Sequence, residues 1–182
     1  MKALLDACVL YPTVMREMLL EVAARGGFQP LWTARLLREW ERAAARRGEA
    51  ERTIAQGAIA LVAAQWPQAM LPPPPESLAR RLWLPDPSDV HVLAAAIAGS
   101  ADVIVTVNAQ DFPRGVLAEE GLSRADPDGF LLGLWKGSPE IVEEAAEAVR
   151  AKAGRLAGAP FEMRRLLKKA RLPRLGKALS DA

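Results

Sequence analysis

Leu84-Pro-Asp-Pro-Ser-Asp-Val-His-Val-Leu-Ala-Ala-Ala-Ile97, followed by Val103-Ile-Val-Thr-Val-Asn-Ala-Gln-Asp-Phe112, is the stretch on which the fold turns. The first part reads as a helix that begins with acids. Asp86 stands at the N-cap, Pro87 at the first helical position and Asp89 two residues further in. Both acids could serve only the helix start, where the macrodipole favours negative charge. Asp89, however, lies three residues before Val92 and four before Leu93, so it borders the apolar face and can point inward. Residues 103–107 are a continuous, mostly β-branched run of the kind buried in parallel sheets. Asn108 and Asp111 follow at its C-terminal end. Taken singly they read as turn residues. Carboxylates gathered where a strand ends and a helix begins point instead to a divalent-metal site.

Earlier in the chain, residues 2–5 read as a short buried strand with Asp6 at its C-terminal end. In open α/β sheets ligands bind outside the carboxyl ends of the strands, so Asp6 and Asp111 hold comparable positions. A helix is expected over 12–25, stopped by Gly26 and Gly27. A short extended connection over 28–32 follows, and Thr33 is a good N-cap. The next helix, 34–47, places Leu36, Leu37, Trp40, Ala43 and Ala44 on one face. Glu39 and Glu41 fall just past opposite edges of that face, and periodicity does not choose between them. Another helix covers 49–66, and the prolines at 72–75 form a stiff connection, a spacer or a proline-rich ligand. His91, the one histidine, reads as a surface or hydrogen-bonding residue rather than a ligand.

Beyond Phe112 the chain reads as helical, with helices opening at Asp126-Pro-Asp and Ser138-Pro-Glu and a last amphipathic segment at 160–172. The expected organisation is a core domain over 1–136 and a helical appendage over 137–182. Residues 1–139 carry 14 Lys+Arg against 16 Asp+Glu, whereas 140–182 carry 10 against 6. That basic end suits a polyanionic partner or an acidic protein, or is a solvated helix surface. The single cysteine, Cys8, allows no internal disulfide. No run of about 18 apolar residues is present, so no membrane span is expected and the cytoplasm is the default.

The residues together resemble the PIN domain family, the fold of many toxin ribonucleases of bacterial toxin–antitoxin pairs. The resemblance rests on Leu5-Asp6 closing the first strand, Glu39 in a helix after a short connection, and Asp89 entering an alanine-rich helix. It continues in Thr106-Val-Asn108-Ala-Gln-Asp111-Phe112 after the buried strand, and covers roughly residues 1–132. It implies a three-layer α/β/α fold with a mainly parallel central sheet. It also implies an acidic cluster of Asp6, Glu39, Asp89 and Asp111, with Thr106 and Asn108 in support, and so selects Glu39 over Glu41. Asp86 has no firm counterpart in the family pattern and is held as a cap with a supporting role. Cys8 stands where many members carry a small polar residue.

Carboxylates without a Cys/His cluster suit Mg²⁺ or Mn²⁺ rather than zinc. The reading that follows is metal-dependent hydrolysis of RNA, with Asp6, Asp89 and Asp111 as metal ligands and Glu39 as a further ligand or the residue that orients water. The resemblance implies a small antitoxin blocking the acidic cleft, and toxin dimers. Two alternatives stand beside it. One is another metal-dependent phosphohydrolase, a phosphatase or DNase, although the Asp-x-Asp nucleophile pattern is missing because Asp6 is followed by Ala7-Cys8. The other is a non-catalytic module that binds RNA or protein.

Overall fold

A computed structural model gives the structure of residues 1–181. Five strands form one sheet: β1 (Lys2–Leu5), β2 (Gln29–Thr33), β3 (Met70–Leu71), β4 (Val103–Val105) and β5 (Ser123–Ala125). Their spatial order is β3-β2-β1-β4-β5 and every pairing is parallel. Helices flank the sheet in the three-layer α/β/α arrangement. Strands covered on both faces need apolar side chains on both, and Ala3, Leu4, Leu5, Ile104 and Val105 are all fully buried.

The chain divides into two compact units, residues 1–11 with 29–125, and residues 12–28 with those from 126 onward. The first unit holds the sheet. It also contains α1 (Ala7–Leu10), then α3 (Ala34–Ala45) and α4 (Glu49–Gln65), which follow α2 (Thr13–Ala24) of the second unit in chain order. Further along it contains α5 (Glu76–Arg81), α6 (Val90–Ala98) and α7 (Arg114–Glu119). Thr33 caps α3 by accepting a hydrogen bond from the Leu36 amide at 3.3 Å. Gly48, at φ 125°, makes the left-handed turn between α3 and α4. Ala94, Ala95 and Ala96 are fully buried on α6, which packs on β2 and β4. Just past α6 a Cβ on Gly99 would lie 2.7 Å from a Leu71 methyl, so a larger residue there would require the Leu71 side chain to shift.

The second unit is helical. It contains α2, α8 (Pro127–Gly137), α9 (Pro139–Ala157), α10 (Met163–Lys169) and α11 (Pro173–Asp181). Helix α2 packs on α9, and α10 packs on α11. Phe28 and Phe130 meet edge to face at 5.0 Å. Asp128 of α8 is buried and accepts hydrogen bonds from the Arg174 and Leu175 amides, both at 2.9 Å, so it closes the N-terminus of α11 from outside.

Several expectations are revised. The extended connection at 28–32 is strand β2, paired with β1. The proline connection is preceded by β3 and followed by α5, and β5 interrupts the stretch read as wholly helical. Both unforeseen edge strands are too short for a hydrophobic period: β3 has two residues, and β5 is Ser-Arg-Ala, held by its pairing to β4. Within the last amphipathic segment, 160–172, the helix is α10, and a further helix, α11, follows it after the left-handed Arg171 and the break before Pro173.

Candidate metal centre

From β1 the chain runs to β2 and β3 on one side of the sheet, then returns to β4 on the other side of β1. The strand order therefore reverses between β1 and β4, and the crevice at their carboxyl ends is where such folds take ligands. Leu5 pairs with Val105, so Asp6 and Thr106 emerge side by side. The Asp6 amide donates to the Val105 carbonyl at 3.1 Å, and both residues are buried.

Asp6 occupies the N-cap position of α1, yet its side chain makes no cap hydrogen bond. Its Oδ2 instead accepts from Thr106 Oγ1 at 2.6 Å and from Cys8 Sγ at 3.0 Å. Burial, followed by the charge on Asp6, pushes the Cys8 thiol up to about 12, so the sulfur is a neutral S–H donor near neutral pH. Cys8 Sγ also accepts from the Val107 amide at 3.3 Å, and the Asn108 amide donates to Thr106 Oγ1 at 3.0 Å. Two adjacent strand ends are thus tied into one network that fixes the Asp6 carboxylate. Cys8 fills the place of the small polar residue expected there.

Asp89 ends a short 3-10 turn, Pro87–Asp89, that leads into α6. Burial, then the charges on Asp6, Asp86 and Asp111, push its carboxyl up to about 6, with His91 opposing in part. Three acids distant in sequence from one another therefore act on one group. Asp111 is half-buried in the loop after β4, where its amide bonds to the Asn108 carbonyl at 3.2 Å. The Asn108 side chain is exposed. Asp86 is exposed too, and its Oδ1 accepts from the Ser88 amide at 2.8 Å, which holds its carboxyl below the usual range. It is the cap, and it reaches Asp89 through charge.

Glu39 approaches from α3. Its Oε1 receives Arg35 Nε at 3.2 Å and lies 3.0 Å from His91 Nε2. That imidazole nitrogen is close enough for a charge contact but misaligned for a hydrogen bond, and has no hydrogen-bond partner among the described residues. Burial would raise the Glu39 carboxyl, but His91 and Arg35 outweigh it and hold the group below its ordinary value. Arg35 also donates to the Ser88 carbonyl at 3.2 Å, joining α3 to the turn that carries Asp89. Glu41 is committed elsewhere, to Arg52 at 2.9 Å and Gln56 at 2.8 Å. Arg35 was missed in the sequence, although its spacing of four residues from Glu39 is a recognisable helical ion pair.

The groups acting on Asp89 are carboxylates, a donor set matched to a hard divalent cation, which would also relieve their mutual repulsion. The described residues contain no three His, Cys, Asp or Glu side chains close enough together to hold an ion as they stand.

The parallel sheet with its strand-order reversal narrows the class. The chain belongs to the PIN domain family, whose model matches residues 2–110. That match includes Asp6, Glu39, Asp86, Asp89, Thr106 and Asn108, and stops one residue short of Asp111. Over 61 residues the chain is 43% identical to "Putative ribonuclease VapC50" of Mycobacterium tuberculosis (strain ATCC 25618 / H37Rv). The aligned part is 34% of this chain and 34% of that protein, so the chain spans about a third of the length of the curated relative it matches. No solved structure matches the chain.

Proposed function

We propose that this protein is a metal-dependent endoribonuclease and the toxin of a toxin–antitoxin pair. The observation that carries the reading is the carboxyl of Asp89, raised to about 6 by burial and by Asp6, Asp86 and Asp111. Like charges gathered this way suit a divalent cation, which when bound would attract a phosphodiester. Asp6, Asp89 and Asp111 would hold Mg²⁺ or Mn²⁺, and Glu39 would be a further ligand or would orient the attacking water. The ion supplies a water of lowered pKa and stabilises the leaving oxygen. Thr106 and Cys8 keep Asp6 in one orientation, and Arg35 and His91 do the same for Glu39. The backbone of Asn108 anchors the loop that presents Asp111.

Catalysis is assigned to residues 1–136, with 137–182 as a helical extension. The substrate is RNA, the partners are a small antitoxin and a second copy of the chain, and the compartment is the cytoplasm. No helix among the described residues is long and apolar enough to cross a membrane. The kinship with a protein named as a ribonuclease supports the choice of RNA. A second reading, a binding module without catalysis, draws support from the lack of three closely grouped donors among the described residues. Incubation of RNA with purified protein separates the two: cleavage that EDTA abolishes and Asp6→Asn removes is expected. Cleavage that survives both treatments overturns the proposal, and no cleavage under any divalent cation favours the binding module.

A further inference from the structure

We propose that the exposed cationic face of α10 is a binding surface for the phosphate backbone of single-stranded RNA. It lies beyond residues 2–110, the extent of the family match. Arg164, Arg165, Lys168 and Lys169 are all exposed, and on a helical wheel of about 100° per residue they fall within one arc. Leu166 and Leu167 take the opposite side and are buried. The short helix is thus held by its leucines and presents four cations outward.

Among the described residues these charges have no acidic partner. Residues 148–180 contain ten cations and one acid, Glu162. The Glu162 carboxylate caps α10 by accepting from the Arg164 and Arg165 amides at 2.8 and 2.9 Å. Neighbouring acids are also taken: Glu147 pairs with Arg150, and Asp126 and Asp128 pair with Arg174. Among the described residues none of the four α10 cations forms an ion pair. Arg164 with Lys168, and Arg165 with Lys169, are like-charge pairs four apart, which repel each other on a helix face. A polyanion lying along the face turns that repulsion into attraction.

The composition of the face favours nucleic acid over protein. Protein interfaces are depleted in lysine at their centre and rely on aromatic or apolar anchors. No large exposed apolar side chain sits among the four cations. An acidic peptide seated in the apolar groove formed by Leu156, Phe161 and Leu166, with Lys169 at its edge, is the competing occupant.

The inference rests on the ribonuclease reading only in choosing RNA as the polyanion. The test uses full-length protein carrying Asp6→Asn, so that RNA stays intact, and follows binding of a 20-nucleotide single-stranded RNA by fluorescence anisotropy as salt is varied. Changing all four cations to Gln is expected to reduce the slope of log K against log salt by about 3, near 0.7 for each phosphate released. Affinity at about 0.1 M salt should fall about tenfold or more. The charge-conserving pair Arg164→Lys and Arg165→Lys should keep the slope. An unchanged slope in the Gln variant overturns the proposal, as does tighter binding of an acidic peptide than of RNA in a competition. Cleavage is measured separately: a wild-type protein that cleaves RNA while the slopes stay equal refutes this surface alone, and a slope change without cleavage refutes the nuclease reading alone.

Discussion

Asp89 is partly buried and stands in the field of Asp6, Asp86 and Asp111, so its folded-state pKa of about 6 exceeds the ordinary 3.8. The folded protein therefore binds this proton more tightly than the unfolded chain. The stability it contributes is full below about 3.8 and is lost as pH rises through about 6. Asp89→Asn should raise Tm at pH 8, by about 2–4 °C for a chain of this size, and the gain should vanish near pH 3.5. Equal gains at both pH values would show that the cause is packing rather than charge. Thr106 tests the other half of the site. It donates to Asp6 and accepts from the Asn108 amide while almost wholly buried. Thr106→Val should cost about 1–3 kcal/mol in urea denaturation, because the part-buried Asn108 amide and the buried Asp6 carboxylate each lose a partner.

Helix ends were easier to read than strands because caps are local. Thr33, Asp86 and Asp126 each accept from an amide two or three residues ahead, which their sequence positions had suggested. Strand β4 was visible as Val-Ile-Val, while β3 and β5 have no pattern of their own and exist through neighbours that only the fold supplies. Asp128 shows the same limit on the helical side. It reads as an acid in the first turn of α8, yet it accepts from the first residues of α11, 46 and 47 positions away. Asp128→Ala should leave those amides unsatisfied and cost about 2–3 kcal/mol. A loss under about 0.5 kcal/mol, the range for an ordinary surface change, would show that water replaces the carboxylate.

Across the whole chain, parallel pairing sets the chemistry. The reversal of strand order between β1 and β4 brings Asp6 beside Thr106 although they are 100 residues apart. Asp6, Glu39, Asp89 and Asp111 were singled out through resemblance to a family; in the structure Asp6 and Asp111 act on Asp89 through charge, while Glu39 turns to Arg35 and His91. Thr106 and Asn108 came with the same resemblance, and Cys8 as a departure from it, whereas Arg35 and His91 meet Glu39 through contacts that depend on which helices adjoin. The second unit was also hidden, because α2 packs on α9 across more than 100 residues and composition does not record that pairing. We propose that carboxylates from these separate segments serve one divalent cation. Isothermal titration of Mn²⁺ into wild-type protein and into Asp89→Asn at pH 7.5 tests it most directly. Binding by the wild type and at least about tenfold weaker binding by the variant, roughly 1.4 kcal/mol, are expected. Equal affinity in the two proteins, or no binding by the wild type, would contradict it.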